Sequence, residues 1–339
     1  YNIENGGMPV ILEKNRKIVF EYQKKASLVE EIFENELSQN EMIAKTIVSV
    51  VSTGSEIGGY MDYYGGMQYP CPTGYAGVLE VLKTGSGINN FRPGDLIFSQ
   101  SPHQEYVRIK EDEAVHIPTG MKPEHAVLGR FPAVSMTTMI NTKIRPTEPV
   151  IVTGLGIIGL MCAQMMQCCG YNVYAVDPLE KRRITANMCG LKNTFSSLSE
   201  LSSMTGNFGL GIECSGNDNA TMDLLKILRK GGELSLVGVP WRSTADIKVN
   251  QLFRDIFNSY VTIYSGWEWS LPLHDQDFQP NSNFRSFITA MEWINDGKIN
   301  VEGIYEVHNP KGCCKVYDSL SKGLTEKTCV LFDWQNIDN

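Results

Sequence analysis

Three glycines and one aspartate are spaced in a way that suits the binding of a dinucleotide. Gly154, Gly156 and Gly159 follow a short apolar run at the spacing G-x-G-x-x-G, and Asp177 lies eighteen residues beyond the last of them. The first glycine permits a tight turn, the second lets the backbone approach a pyrophosphate, and the third lets a helix pack closely against a strand. A carboxylate at Asp177 would accept hydrogen bonds from the ribose hydroxyls of NAD and repel the 2′-phosphate of NADP.

The elements around these glycines must hold them in register. Val150 to Thr153 form a β-branched run typical of a buried strand, Ile157 to Cys169 an apolar helix, and Val173 to Val176 a second buried strand. The first amides of that helix, at Ile157 and Ile158, then point at the phosphates. A glycine-rich turn in an unrelated α/β protein is the alternative, but strand, glycines, helix, strand and terminal aspartate occur together. We therefore predict NAD as the cofactor.

The composition is that of an ordinary soluble globular protein. Of the 339 residues, 42 % are apolar and 20 % are charged, which suits two domains with sizeable cores. The net charge of −8 is spread along the chain, apart from the Glu-rich stretch Glu30 to Glu36, which argues against nucleic acid and anionic membranes as partners. Nine cysteines without framework-like spacing predict reduced thiols and a cytoplasmic location.

Hydrophobic patterning predicts the other elements. Strands are expected in the N-terminal third at Thr46 to Val51, Val78 to Leu82 and Glu105 to Ile109, and the segment from Phe91 to Phe98 is interpreted as a turn that leads into another strand. A helix is expected from Glu124 to Asn141. Beyond Pro149, strands at Gly209 to Gly216, Leu234 to Pro240, Val261 to Tyr264 and Lys327 to Trp334 accompany helices at Asp218 to Leu228 and Phe284 to Asn295. Ligands bind at the carboxyl ends of parallel strands, so the cofactor should contact Cys214, Ser215, Val237, Gly238 and Val239.

Several further segments carry a resemblance that covers nearly the whole chain. They are Ser52 to Glu56 (STGSE), Gly74 to Val78 (GYAGV), Phe91 to Asp95 (FRPGD), His103 to Val107 (HQEYV), Glu213 to Gly216 (ECSG), Gly231 to Gly238 (GGELSLVG) and Val330 to Trp334 (VLFDW). With the nucleotide motif, they resemble the medium-chain dehydrogenase/reductase superfamily, near its sorbitol-dehydrogenase-like and bacteriochlorophyllide-dehydrogenase-like members.

The resemblance implies an α/β fold with two parts. A GroES-like β-barrel catalytic domain is expected from residues 1–130 and from a C-terminal return at 269–339. It would surround a Rossmann domain, a doubly wound parallel sheet at 131–268, with the active site in the cleft between them. Members of the family are usually homodimers or homotetramers that act on a small-molecule substrate.

The chain departs from its zinc-using relatives at the metal ligands. The positions that hold a Cys, a His and a third ligand in those relatives correspond to Thr53, Tyr75 and Arg130. Thr and Tyr are poor zinc ligands at neutral pH, and Arg cannot coordinate a metal. The cysteine-rich lobe of the structural zinc is missing, since only Ser99 to Pro102 separate a strand from His103. No metal is predicted.

Hydride transfer without zinc needs side chains that manage the proton and the charge of the reacting oxygen. Tyr75 either donates a hydrogen bond to that oxygen or fills the space of the lost ligand. Ser55 either relays a proton, as the matching residue of relatives does, or satisfies a turn. Glu56 is either a general base or, as we favour, the partner of Arg130. His103 either assists proton transfer or makes a structural hydrogen bond. The spacing of residues in the sequence does not support a metal site that includes His103.

Three more residues are assigned to the substrate. Thr53 should lie beside it, and Arg130 either binds a substrate carboxylate or phosphate or forms an internal salt bridge. Trp267 either stacks on a ring of the substrate or closes the domain interface. A tyrosine cluster at Tyr60, Tyr63 and Tyr64 shapes either a polar pocket or a plain loop.

We predict an NAD-dependent, zinc-independent oxidoreductase that interconverts a secondary alcohol, such as a polyol, cyclitol or sugar derivative, and its ketone. A quinone or enoyl reductase is one alternative, although such enzymes prefer NADPH and Asp177 has no adjacent arginine. A redox-neutral enzyme with tightly held NAD and a non-catalytic nucleotide-binding relative are the others.

Overall fold

In the computed structural model, which describes residues 14–34 and 36–338, the N-terminal third of the chain is built mainly of strands. In chain order the elements are β1 (Asn15–Tyr22), β2 (Lys25–Glu31), β3 (Glu41–Val50), α1 (Thr53–Tyr60), β4 (Cys71–Pro72), β5 (Ala76–Thr84), β6 (Leu96–Ser99), β7 (Tyr106–Lys110) and β8 (Ala114–His116). β2, β1 and β4 form a small sheet, and β3 lies in a larger one with β5 to β8. β3 is buried along most of its length because both β5 and β7 pair with it.

The central part of the chain alternates between strands and helices. Its elements are α2 (Pro123–Leu128), α3 (Arg130–Asn141), β9 (Val150–Thr153), α4 (Ile157–Cys168), β10 (Val173–Val176), α5 (Glu180–Met188), β11 (Thr194–Phe195), β12 (Phe208–Glu213), α6 (Asp218–Ile227), β13 (Leu228–Leu236), α7 (Val249–Ser259) and β14 (Thr262–Ser265). The six strands form a parallel sheet in the order β11-β10-β9-β12-β13-β14. This is the doubly wound order of a dinucleotide-binding domain, and it confirms the predicted fold class.

The C-terminal part returns to the N-terminal sheet. It contains α8 (Asn283–Asn295), β15 (Tyr305–His308), α9 (Cys313–Ser321) and β16 (Cys329–Asp333). β16 pairs antiparallel with β3 and parallel with β15, while α8 packs against α3. Apolar side chains from both ends of the chain therefore share one core with the central domain. No helix in the described part of the chain combines the length and the apolar character needed to cross a bilayer.

Two predicted elements differ from the structure. The helix expected from Glu124 to Asn141 is interrupted at Gly129, because Pro132 has no N–H to donate to the carbonyl four residues earlier. The strand expected up to Pro240 ends at Leu236, since the amides of Val237 and Gly238 both turn to the carbonyl of Glu213 (2.8 and 2.7 Å). Both interruptions place functional candidates at the ends of elements, since Arg130 begins α3 and Val237 to Val239 follow β13.

Candidate active site

The glycine loop between β9 and α4 has the shape required for a pyrophosphate. Gly154 has a φ of +83°, and a side chain there would meet Ser215 at 2.7 Å. A Cβ at Gly159 would lie 1.7 Å from the carbonyl oxygen of Gly154, whereas one at Gly156 would meet no atom within 4 Å. Within the described residues, no side chain caps α4, so its first amides at Ile157 and Ile158 are available to an anion. These residues fit the phosphates of a dinucleotide.

Asp177 has a structural role that the sequence did not reveal. Its buried carboxylate accepts hydrogen bonds from the amides of Leu155 (2.7 Å) and Leu179 (2.8 Å), and Arg182 lies 3.1 Å away. Arg183 donates to the carbonyl oxygen of Asp177 (2.7 Å). The prediction that no arginine is adjacent is therefore wrong, because the turn into α5 brings both guanidinium groups back to the end of β10. Asp177 thus holds the glycine loop in place through its hydrogen bond with the amide of Leu155.

The ends of β12 and β13 form the second wall of the cofactor cleft. The Glu213 carboxylate accepts hydrogen bonds from the amides of Ser215 (2.7 Å) and Gly216 (2.9 Å), and burial raises the pKa of this group. A side chain at Gly238 would meet the amide of Gly216 at 2.4 Å. The structure thus brings the segment from Cys214 to Gly216 against the segment from Val237 to Val239, as predicted for neighbouring strand ends.

The segment from Val237 to Val239 also lies against the N-terminal domain. A Cβ at Gly54, in the first turn of α1, would lie 3.3 Å from Val239, and a Cβ at Gly266 would lie 2.5 Å from Val237. Trp241 follows, and its ring lies 4.5 Å from that of Tyr64, centroid to centroid. The expected site of hydride transfer is therefore enclosed by α1 on one side and by the turn after β14 on the other.

Tyr75, Arg130 and Glu268 form a buried stack at the centre of this region. The Arg130 guanidinium lies 4.0 Å from the centroid of the Tyr75 ring, and its two terminal nitrogens each donate a hydrogen bond of 2.5 Å to the Glu268 carboxylate. Phe287 covers the other side of the guanidinium at 5.3 Å. The predicted pairing of Arg130 with Glu56 is wrong. The break before α3 directs Arg130 towards the turn after β14, so the internal salt bridge is made with Glu268.

The environment of Tyr75 keeps its phenol protonated. Burial raises the pKa of Tyr75 to about 12, although the Arg130 cation opposes this shift. The ring stacks on Phe131, with the centroids 6.2 Å apart. A neutral phenol held in this way can donate a hydrogen bond but is a poor proton acceptor at neutral pH.

Glu56 is held by partners from distant parts of the chain. Its carboxylate accepts hydrogen bonds from the amide of Ser52 (2.7 Å) and from the Tyr317 hydroxyl (2.5 Å), and Nε2 of His103 lies 3.2 Å away. Tyr317 lies in α9 and was not predicted. No pattern within α9 distinguishes it, because its partner is 261 residues away. Burial and the Glu56 carboxylate together hold the pKa of Tyr317 well above its usual range.

His103 belongs to a closed buried chain of hydrogen bonds. Its Nδ1 lies 2.6 Å from the Ser49 hydroxyl, which accepts a hydrogen bond from the indole of Trp334 (2.8 Å). The indole donates to the Ser49 hydroxyl, which shares a second hydrogen bond with Nδ1 of His103. All three side chains are fully buried. The chain ends at Trp334, which favours the structural interpretation of His103 over proton transfer to solvent.

The Glu56 cluster gives a first test of this description. Tyr317→Phe leaves the Glu56 carboxylate one donor short in a buried site. We expect the free energy of unfolding to fall by about 1–3 kcal/mol, as for other buried groups that lose a partner. Urea unfolding measures this change. The control is Tyr22→Phe, since Tyr22 is exposed and its change should leave the midpoint in place. An unchanged midpoint for Tyr317→Phe would contradict the proposed hydrogen bond.

Three predicted residues border one cavity beside Tyr75, here called the Tyr75 cavity. It has a volume of about 270 Å³, and Ser55, Glu56 and Tyr75 line it together with Phe20, Gly59, Tyr64, Met67, Cys71, Pro72, Thr73 and Gly74. Thr53 precedes Ser55 in α1, but its hydroxyl has no partner among the described residues. Trp267 is 59 % exposed and makes no ring contact within them. Tyr75, Ser55 and Glu56 therefore line the same cavity, and Trp267 does not line it.

The residues at the expected zinc position do not fit zinc. They offer the Thr53 hydroxyl, the Tyr75 phenol and the Arg130 guanidinium, and a guanidinium is a cation without a lone pair for a metal. Within residues 14–34 and 36–338, no three His, Cys, Asp or Glu side chains come close enough together to share an ion.

Comparison with known sequences relates the chain to dehydrogenases. The family described as zinc-binding dehydrogenase matches residues 157–273. Sorbitol dehydrogenase of Bacillus subtilis (strain 168) is 24 % identical over 251 residues, which cover 62 % of this chain and 69 % of that protein. Several L-threonine 3-dehydrogenases match over about half of their own length.

Comparison with solved structures extends the similarity to the whole fold. Galactitol-1-phosphate dehydrogenase from Escherichia coli has a TM-score of 0.78 at 18 % identity, covering 94 % of this chain and 99 % of that one. The 2R,3R-butanediol dehydrogenase from Bacillus subtilis has a TM-score of 0.75 at 17 % identity, with the same coverage. At these identities the similarity shows a shared fold.

Proposed function

Because the chain belongs to the medium-chain dehydrogenase/reductase superfamily, we propose that it interconverts a secondary alcohol and its ketone by hydride transfer, with NAD as cofactor and without zinc. The observation that carries this proposal is the Tyr75 phenol, which burial keeps protonated, which stacks over the Arg130 guanidinium and which lines a cavity together with Ser55. When bound, the cofactor supplies or accepts the hydride. The protein must then stabilise the reacting oxygen.

Tyr75 is suited to that task in both directions. Its phenol donates a hydrogen bond to the carbonyl oxygen, and this bond strengthens as negative charge develops there. The Arg130 cation, 4.0 Å from the ring centroid, favours this negative charge, and its pairing with Glu268 reduces the effect. Ser55 lies on the same cavity wall and can take the proton onward.

The choice of NAD rests on Asp177. Its carboxylate lies at the end of β10, where a 2′-phosphate would meet it. The guanidinium of Arg182 is paired with that carboxylate, and Arg183 donates to backbone carbonyls, which reduces their availability to a phosphate. Titration of the protein with NADH and with NADPH, followed by fluorescence, compares the two affinities directly. Tighter binding of NADPH would overturn this part of the proposal.

A cytoplasmic location and a homo-oligomeric state belong to the same proposal. All nine cysteines are free thiols, which suits a reducing compartment. On α7, Val249, Phe253 and Phe257 recur every four residues and are exposed, next to β14 at the edge of the parallel sheet. A second copy of the chain would cover this apolar stripe.

Tyr75→Phe tests the proposed chemistry. The substitution keeps the ring over Arg130 and removes only the donor. We expect kcat to fall about 100-fold or more, as for other lost donors to a developing oxyanion, while the Kd for NADH changes by less than about twofold. Absorbance at 340 nm follows turnover, and fluorescence follows NADH binding.

The same assay also separates the alternatives. Full kcat in Tyr75→Phe would remove the phenol from the mechanism. Bound cofactor with no turnover of any alcohol or ketone by the unaltered protein would favour a redox-neutral enzyme or a non-catalytic relative. Because burial raises the pKa of Tyr75 to about 12, ionisation of Tyr75 should not change kcat near neutral pH.

A further inference from the structure

The walls of the Tyr75 cavity are mostly carbon. Phe20, Met67 and Pro72 contribute apolar side chains, and Tyr64 and Tyr75 contribute ring surface. Burial also raises the pKa of the Cys71 thiol, so this side chain is neutral at physiological pH. The cavity therefore offers an apolar surface to whatever part of a substrate lies beyond the reacting carbon.

The polar groups around this cavity are already engaged with the protein. The Tyr64 hydroxyl donates to the carbonyl of Ser55 (3.0 Å), and the Tyr69 hydroxyl donates to the carbonyl of Gly59 (2.7 Å). The Thr73 hydroxyl donates to the backbone carbonyl of Ile18 (3.1 Å). In the predicted cluster, the Tyr60 and Tyr64 hydroxyls donate to backbone carbonyls and the Tyr63 hydroxyl accepts from Arg242, so all three are engaged with the protein.

Glu56 is occupied as well. One carboxylate oxygen accepts from the amide of Ser52, and the other accepts from Tyr317 and faces His103. Among the described side chains that line this cavity, the Ser55 hydroxyl and the Tyr75 phenol, which also interacts with the Ser52 side chain, can serve a substrate oxygen. A polyol would bring several hydroxyls into the cavity. Each hydroxyl left without a hydrogen-bond partner would weaken the free energy of binding by about 1–3 kcal/mol.

The size of the cavity suits one ring. An apolar cavity of about 150 Å³ holds benzene, and the Tyr75 cavity has about 270 Å³. We propose that the substrate is a secondary alcohol or ketone whose carbinol carbon carries an apolar six-membered ring, aryl or cycloalkyl, and not a polyol. This inference rests on the proposed function and replaces the substrate class expected from the sequence.

The first experiment compares substrate classes. The protein is assayed with NAD at 340 nm against 1-phenylethanol, cyclohexanol, sorbitol and myo-inositol. In parallel, acetophenone is titrated by calorimetry into protein saturated with NAD, a combination that cannot react. We expect kcat/KM for the two ring alcohols to exceed that of the polyols by about 100-fold, as for two or more unpaired hydroxyls, and we expect acetophenone to bind.

Two variants show whether the ring lies in this cavity. Met67→Gln keeps the length of the side chain but places an amide in the apolar wall. It should raise KM for 1-phenylethanol about tenfold, with a smaller effect on kcat. Met67→Leu keeps the wall apolar, so the KM of this variant for 1-phenylethanol should stay well below that of Met67→Gln.

Gly59→Ala tests the same space from the opposite side. Its methyl group would lie 3.5 Å from Met67 and 3.7 Å from Phe20, which is ordinary contact, so it fills the cavity without strain. KM for 1-phenylethanol should rise about threefold to tenfold. Gly312→Ala is the matched control, since its methyl group meets nothing within 4 Å and lies away from the cavity.

The outcomes distinguish this inference from the proposed function. Efficient turnover of sorbitol or myo-inositol with poor turnover of ring alcohols would overturn the substrate class and leave the proposed function in place. Acetophenone binding that is weakened by Met67→Gln, without turnover of any alcohol, would support the ring site and contradict the proposed function. If neither Met67→Gln nor Gly59→Ala changed the KM for 1-phenylethanol, the ring of the substrate would not bind in the Tyr75 cavity.

Discussion

Gly159→Ala should abolish cofactor binding and lower the free energy of unfolding by at least about 3 kcal/mol, the upper end of overpacking effects. The new methyl group would lie 1.7 Å from the carbonyl oxygen of Gly154 and 3.1 Å from Cys214, so backbone must move. Neither neighbour can yield cheaply, because Gly154 is itself held against Ser215. Urea unfolding reports the loss of stability, and NADH fluorescence reports binding.

Gly156→Ala is the matched control for this change. It lies in the same loop, has a negative φ of −63°, and its methyl group would meet no protein atom within 4 Å. Stability should therefore change by less than about 1 kcal/mol, while the Kd for NADH should rise about tenfold to 100-fold because the methyl group enters the path of the pyrophosphate. Equal effects of the two substitutions on stability and binding would contradict the described loop.

Arg130→Met should lower the free energy of unfolding by about 3–5 kcal/mol, the usual result of removing one partner from a buried ion pair. Arg130 and Glu268 are 1 % and 2 % exposed, so the remaining carboxylate would be charged and unpaired in the core. Chemical unfolding at neutral pH measures the loss.

Two further variants identify the cause. Arg130→Met combined with Glu268→Leu removes both charges, and stability should return to within about 1–2 kcal/mol of the starting value, since apolar replacements of buried pairs are well tolerated. Arg285→Met makes the same chemical change in the exposed pair with Asp275 and should have a much smaller effect. A double variant no more stable than Arg130→Met would show that packing, not charge, accounts for the loss.

Local sequence patterns predicted five of the six strands of the central parallel sheet and the helix that follows the glycines, but they missed β11, α5 and α7. The glycines from Gly154 to Gly159 are confined to one turn, and the strands and helix on either side show their own periodicity. The same approach overlooked β1, β2 and α9. In β1, buried and partly exposed positions do not alternate regularly because β2 and β4 cover it unequally. In α9 only Cys313, Val316, Tyr317 and Leu320 are buried, which leaves a short apolar stripe among polar residues.

The sequence also limited which side chains could do chemistry. The residue types at Thr53, Tyr75 and Arg130 can be read without a structure, and the prediction that no zinc is bound rests on them. The partner of Arg130 was not visible, since the choice between Glu56 and Glu268 depends on the direction in which α3 begins. The sequence predicted a pair with Glu56, and in the structure Arg130 pairs with Glu268.

The sequence by itself therefore determined the dinucleotide fold, the glycine loop and the residue types at Thr53, Tyr75 and Arg130, because these depend on residue type and on backbone geometry within a few residues. Only the tertiary structure decided that Arg130 pairs with Glu268, 138 residues away, that Tyr317 and His103 hold Glu56, and that the Tyr75 cavity is walled with carbon. Each of these contacts joins segments that are far apart along the chain. Their geometry is fixed by the packing of whole sheets and helices, which leaves no periodic signal in any one segment.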